Sequence, residues 1–164
     1  MTDNRTIADL RADLAVISHG FRTLGANYGG WIMPAFVLRN GIDCTSGRSL
    51  HTQYRRGMAR QCFRNARTLV KRAKGLTYCE GYVLCPNIPI PLHHGWAVTD
   101  DREVVDSTLE DPERCAYLGV TFDAAAVLRW SMRGSTSLLL DGFETVNVDL
   151  IRSMCPDLLA GEAA

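Results

Sequence analysis

Two runs of alternating character, Leu92 to Thr99 and Glu103 to Thr108, flank the tripeptide Asp100-Asp101-Arg102. Alternation at period two marks a strand with one buried face, and a short polar break between two such runs predicts an antiparallel hairpin. Every second side chain shares a face, so His94, Trp96 and Val98 lie together on one strand, as do Val104 and Asp106 on the other. With the turn centred on Asp100, His94 falls opposite Asp106 as a close cross-strand neighbour. A turn centred between Asp100 and Asp101 shifts the pairing by one residue, which a bulge restores.

The segments around this hairpin predict the rest of an α+β fold. Leu76 to Cys85 alternates and is rich in Tyr and Val, and Cys115 to Phe122 reads as a further strand. Between the strands, Asn87-Ile88-Pro89-Ile90-Pro91 is a rigid connector, because its prolines cannot donate to a ladder. Ile7, Leu10, Leu14 and Ile17 repeat at helical spacing over residues 5–18, with Gly20 as the expected stop. A second helical pattern covers 54–74, where Met58, Cys62, Ala66, Leu69, Val70 and Ala73 form one apolar stripe and Gly75 ends it. Asp123 caps a helix over 123–132, and a short last helix covers 148–154. From Phe21 to Ser49 glycines and Pro34 break the pattern, and Trp31–Met33 and Ala35–Leu38 read as short strands or buried loop segments. The expectation is one domain over 1–164, with N-terminal helices packed on an antiparallel sheet.

Composition supports a packed core: 46% of the residues are hydrophobic, far above the range of disordered chains. The formal net charge is zero, so no global field steers the chain to nucleic acid or membranes. The basic residues are nevertheless concentrated. Arg48, Arg55, Arg56, Arg60, Arg64, Arg67, Lys71, Arg72 and Lys74 fall in a stretch without Asp or Glu. That stretch reads either as a solvated helix face or as a basic wall favouring an anionic substrate. The six cysteines do not require disulfide staples in a core-rich chain of this length. The polar N-terminus lacks a signal-peptide pattern and no apolar run reaches membrane-span length, so the expected location is a reducing cytoplasm.

Chemistry enters with Cys62, His94 and Asp106. A thiol needs a base to become a nucleophile, and the base needs an orienting group. Cys62 opens the helix-like run Gln61-Cys62-Phe63-Arg64-Asn65-Ala66 on the buried side of the second helical pattern, His94 lies in one strand of the hairpin and Asp106 in the other. Each alone is an ordinary core, surface or turn residue; the ordered set is what points to nucleophilic catalysis. The Cys62 amide at the helix start is a natural oxyanion donor, with Gln53, Gln61 or Tyr54 as a second. Arg55 and Arg56, with Trp96, complete the expected substrate-binding set. A zinc site built from Cys79, Cys85, His93 and His94 is a rival, although it lacks a tight Cys-x-x-Cys spacing. A binding module using the arginines with Tyr54, Tyr78, Tyr82 and Trp96 is another.

The middle third of the chain resembles the transglutaminase-like branch of the papain-like cysteine enzymes. The matching pieces are Cys62-Phe63-Arg64-Asn65-Ala66, Gly81-Tyr82, His94-Gly95-Trp96 and Asp106-Ser107-Thr108, in that order. The run also resembles small proteins of bacteria and their phages. The resemblance implies a papain-like core, with Cys62 as nucleophile, His94 as base and Asp106 as orienter. It implies no cofactor and no metal. Two positions depart from the pattern: Ser107 stands where the family has proline, and Gln61 where it has a small residue. The expected function is a thiol-dependent amide hydrolase or acyl transferase acting through a thioester. Its substrate is an acyl or amide compound, anionic or a protein. A non-catalytic module on the same fold, phage-encoded and binding an anionic ligand or a partner protein, is the alternative.

Overall fold

The N-terminal third folds as two helices because its buried residues recur at helical spacing. The structure is a computed structural model and describes residues 4–23, 29–45, 54–132, 136–141, 145–156 and 158. Helix α1 spans Ile7–Thr23 and buries Leu10 and Leu14. Thr6 and Asp9 cap it reciprocally, each side chain bonding the other's backbone amide at 3.1 and 2.9 Å. Gly20 does not end this helix, which runs on to Thr23. Helix α2, Gly29–Asn40, occupies the stretch expected to be irregular. Ile32, Met33, Phe36 and Val37 are buried, and their one-three-one spacing is one face of a helix. Pro34 lies inside α2, where it removes one backbone donor; that loss is tolerated because this buried face packs into the core.

Five strands form one sheet: β1 (Ile42–Cys44), β2 (Thr77–Leu84), β3 (Leu92–Val98), β4 (Val104–Val105) and β5 (Ala116–Phe122). Their order is β1-β5-β2-β3-β4 and every pairing is antiparallel. The sheet curls until its two ends meet. The Thr45 amide donates to Arg102 O at 3.0 Å, the Val104 amide donates to Thr45 O at 3.4 Å, and Thr45 bridges Glu103. Among the described residues α3 (Cys62–Arg72), α4 (Ala124–Met132), α5 (Val148–Met154) and the small pair β6 (Leu140–Asp141) and β7 (Thr145–Val146) complete the α+β fold. Asp123 caps α4 through its contact with the Ala126 amide at 2.6 Å.

The curl separates two cores. Tyr78, Tyr82, Leu84, Leu118, Val120 and Phe122 project from the outer face into the helices. Cys44, Cys79, Val83, Trp96, Val98, Val104 and Tyr117 fill the inner wall. Burial pushes the Cys79 thiol well up, while the hydrogen bond with Cys79 draws the Cys44 thiol down. The Trp96 indole N–H has no conventional hydrogen-bond partner and lies beside the polarizable Cys44 sulfur. Cys85 and Cys115 are joined as a disulfide, which corrects the expectation that no staple is used. The cause is register: Leu84 pairs with Ala116, so the next residues outward face each other with Cα atoms 4.4 Å apart. In the chain-entropy view, closing a loop of 30 residues stabilises by about 4 kcal/mol. No helix among the described residues is long and apolar enough to cross a membrane.

Gly119 on β5 makes room for the largest inner-wall side chain. A Cβ there would lie 2.5 Å from Trp96 Cη2 and 2.9 Å from Cys79 Sγ. We predict that Gly119→Ala destabilises the fold by about 1–3 kcal/mol through overpacking. Trp96→Phe in the same background should recover much of that loss in urea unfolding. An unchanged midpoint for Gly119→Ala would show that the indole does not sit there.

Candidate active site

The helix that carries Cys62 begins at that residue, not at Tyr54 as the periodicity suggests. Residues 54–61 form a loop, and Met58, assigned by its spacing to the apolar stripe, is 61% exposed. Arg60 at φ 61° takes the left-handed conformation that turns the chain into α3. The loop is then clamped by Asn65, a buried polar residue not singled out by the sequence reading. Its side-chain amide donates to Met58 O at 2.7 Å and to Thr108 Oγ1 at 2.9 Å, and its carbonyl accepts from the Met58 amide at 3.2 Å. The Gly57 amide donates to Ser107 O at 2.8 Å. A Cβ on Gly57 would lie 2.3–2.6 Å from the Asn65 side chain, so only glycine fits. These contacts tie the start of α3 to the Asp106-Ser107-Thr108 segment.

The start of α3 rests directly on β3. A Cβ on Gly95 would meet Phe63 Cδ1 at 2.8 Å and the Tyr78 hydroxyl at 3.2 Å. Gly95 thus permits a helix–strand approach that a larger residue would block. Phe63 packs its ring on His93 with centroids 4.8 Å apart. His93 bonds Glu80 through Nε2 at 3.0 Å, whereas His94 projects from the opposite strand face and bonds Asp106.

The Asp106 contact arises by a different register from the expected one. Val98 pairs with Val104 and Ala97 with Val105, which centres the turn on Asp101. Extended further, this ladder would set Asp106 against Trp96. The ladder stops at Val105, and Asp106 reaches diagonally to His94 instead, a separation that long side chains cross. The expected strand over 103–108 is correspondingly short.

His94 Nε2 lies 2.7 Å from Asp106 Oδ2 in a buried contact. The carboxylate is otherwise fully engaged. It accepts from the Tyr117 hydroxyl at 3.1 Å, the Thr108 amide at 2.7 Å and the Leu109 amide at 3.3 Å. Burial opposes ionisation of Asp106, but its bonds to His94 and to the two amides win and hold its pKa below the ordinary range. Burial likewise lowers the proton affinity of His94. Hydrogen bonds to Asp106 and to the Cys62 sulfur overcome it and raise the pKa from 6.5 to about 9. With Nε2 on the carboxylate, Nδ1 is the nitrogen left for the thiol.

The remaining expected residues divide. Trp96 is 1% exposed and stacks on the His94 ring at 17° with centroids 6.2 Å apart. This corrects its assignment to substrate binding: it backs the imidazole and cannot touch a ligand. Tyr54, Arg55, Arg56 and Gln61 line a groove of about 910 Å³ that also includes Asn65 and Ser107. The Gln61 side-chain Oε1 accepts from Arg64 at 3.3 Å, and Gln61 provides no side-chain cap to α3. The Cys62 amide, in the first turn, has no intrahelical acceptor and is available as a donor. Gln53 lies outside the described residues. Tyr78 and Tyr82 belong to the core and not to a stacking surface.

Glu80 is the other residue that the sequence reading passed over. It is wholly buried and accepts from Tyr78 Oη at 2.6 Å, from the Leu138 and Leu139 amides at 2.8 and 2.9 Å, and from Ser137 Oγ, besides its contact with His93. Burial raises its pKa and the His93 contact lowers it, with a net depression. An acid inside the apolar run Tyr78-Cys79-Glu80-Gly81-Tyr82 was the available signal. The zinc alternative is not supported by this placement. Cys85 is bonded to Cys115, and the two histidines face opposite ways onto separate carboxylates. Among the described residues no group of three or more His, Cys, Asp or Glu side chains could hold a metal ion.

A histidine pKa raised on folding stabilises the fold fully below its unfolded value and loses that contribution as pH rises through the folded value. A rise from 6.5 to about 9 corresponds to about 3 kcal/mol, lost between those two pH values. Urea unfolding of the parent chain and of His94→Gln should therefore converge at high pH, with the parent's advantage confined to the lower end. Parallel pH profiles would contradict this.

No family model, curated protein or solved structure matches the chain.

Proposed function

We propose that the chain is a thiol-dependent acyl-handling enzyme with a papain-like, transglutaminase-like arrangement of Cys62, His94 and Asp106. One observation carries this reading: the His94 ring bonds the Asp106 carboxylate through one nitrogen while the Cys62 sulfur contacts the same ring. A histidine with a pKa of about 9 is protonated at neutral pH and sets a positive charge beside the Cys62 sulfur. Asp106 fixes the ring's orientation and supports its charge, the role of the third member in a triad.

The chemistry then follows from the groups present. The Cys62 thiolate attacks a carbonyl carbon, and the oxyanion meets the Cys62 amide at the start of α3. The His94 imidazolium gives its Nδ1 proton to the leaving amine as the C–N bond breaks, leaving a thioester on Cys62. Neutral His94 next takes a proton from water or an amine as that nucleophile attacks the thioester. The carbon–sulfur bond breaks and the thiolate returns. Hydrolysis and transfer differ only in this second nucleophile, and no metal or cofactor participates in the proposed sequence.

The cysteines allow a direct test. Cys44, Cys79 and Cys155 are buried thiols, whereas Cys62 is half-buried. Iodoacetamide at neutral pH should alkylate Cys62 at least tenfold faster than the others, as read by peptide mass mapping. His94→Ala should remove most of that preference, and Asp106→Asn should reduce it. Uniformly slow labelling would favour a non-catalytic binding module on this fold.

A further inference from the structure

The groove beside Cys62 carries a charge that the acyl chemistry does not use. Arg55, Arg56, Arg64, Arg72 and Lys74 line it, and all five are exposed. None forms an ion pair among the described residues; Arg56 donates to Glu110 O and Arg64 to the Gln61 side-chain Oε1, both neutral acceptors. Among the described residues no Asp or Glu lines the groove. The chain's formal net charge is zero, so this positive field is local and not a property of the whole surface.

The groove is also directed. Arg64, Asn65, Thr68 and Arg72 contribute one stripe of α3, with Gln61 at its N-cap, and the loop at 54–58 and Ser107 also line it. Cys62, His94 and Asp106 do not themselves line the groove, but Gln61 and Ser107, the chain neighbours of Cys62 and Asp106, do. From Gln61 to Arg72 the helix rises about 16 Å, and from Arg64 to Arg72 about 12 Å. An extended polypeptide covers these distances with about five and about four residues. The volume of about 910 Å³ lies at the upper end for ligand clefts.

We propose that this groove receives an extended acidic polypeptide, with carboxylates about four residues apart engaging Arg64 and Arg72 and its reacting carbonyl delivered to Cys62. The substrate role rests on the thiol chemistry proposed above. Guanidinium groups pair with carboxylates in bidentate fashion, and such pairs fix register as well as adding affinity. A single-stranded nucleic acid would present the same charge, but its recognition relies on a row of aromatic platforms. Among the described residues Tyr54 is the one aromatic side chain lining this groove, and a thiolate that attacks carbonyls has no use for a phosphodiester.

The test uses the full chain with fluorescein-labelled decaglutamate, decalysine and a ten-nucleotide oligothymidylate, read by fluorescence anisotropy. Decaglutamate should bind, decalysine should not, and the oligonucleotide should bind at least tenfold more weakly than decaglutamate. Arg64→Glu with Arg72→Glu should weaken decaglutamate binding at least tenfold, while Lys71→Glu, on α3 but outside the groove, should change it less than twofold. Saturating unlabelled decaglutamate should slow alkylation of Cys62 by iodoacetamide at least threefold. Equal or tighter oligonucleotide binding, indifference to the paired reversal, or fast Cys62 alkylation unaffected by the peptide would each overturn the acidic-polypeptide assignment alone. Slow, unselective labelling of Cys62 without peptide would instead remove the enzyme reading, and the substrate role with it.

Discussion

A negative charge buried beneath the surface must be answered on every side, and the Asp106 carboxylate is answered by four donors. His94, Tyr117 and two backbone amides converge on it from β3, from β5 and from the turn that follows β4. An unpaired carboxylate in such a place would be protonated or would expel its neighbours. The placement of β3 against β4, the early end of β4 and the tight turn at Thr108 all serve this one group. The imidazole inherits its orientation from it, and the thiol inherits its partner from the imidazole.

The helix bearing that thiol is fixed by absence of bulk as much as by contact. Gly95 lets Phe63 rest against the strand, and Gly57 lets Asn65 fold its side chain against the preceding loop. Asn65 then joins Met58 on one side to Thr108 on the other. The nucleophile's helix and the carboxylate's turn are thereby parts of one hydrogen-bonded unit. A second buried carboxylate, Glu80, does comparable work on the outer face by holding the segment around Leu138 to β2.

Local periodicity made β2, β3, β5, α1 and α4 legible, and the α5 bounds coincide with the spacing, whereas β1, β6 and β7 were too short to register. It made α2 illegible, because Pro34 and the neighbouring glycines are local signals for a loop, whereas burial of Ile32, Phe36 and Val37 is a tertiary gain. Cys62, His94 and Asp106 could be singled out by residue type and order. Their meeting could not be computed from the ladder, since the turn is centred on Asp101 and the contact is diagonal. Trp96 looked like a cleft residue because tryptophan often is one; the space that buries it is made by Gly119, which lies on another strand. The Cys85–Cys115 bond likewise depends on the β2–β5 register, a relation between distant segments that spacing along the chain does not encode.

The meeting of Thr45 with Arg102 and Glu103 has a bearing on association. An open sheet leaves unpaired amides and carbonyls along its margins, and those margins recruit foreign strands. Here the outermost strands spend part of that capacity on each other, and the outermost one at the far side has only two ladder residues. Among the described residues, these edges of the five-stranded sheet keep less template for main-chain zippering by another polypeptide. At these edges, recognition of another chain falls chiefly to side chains.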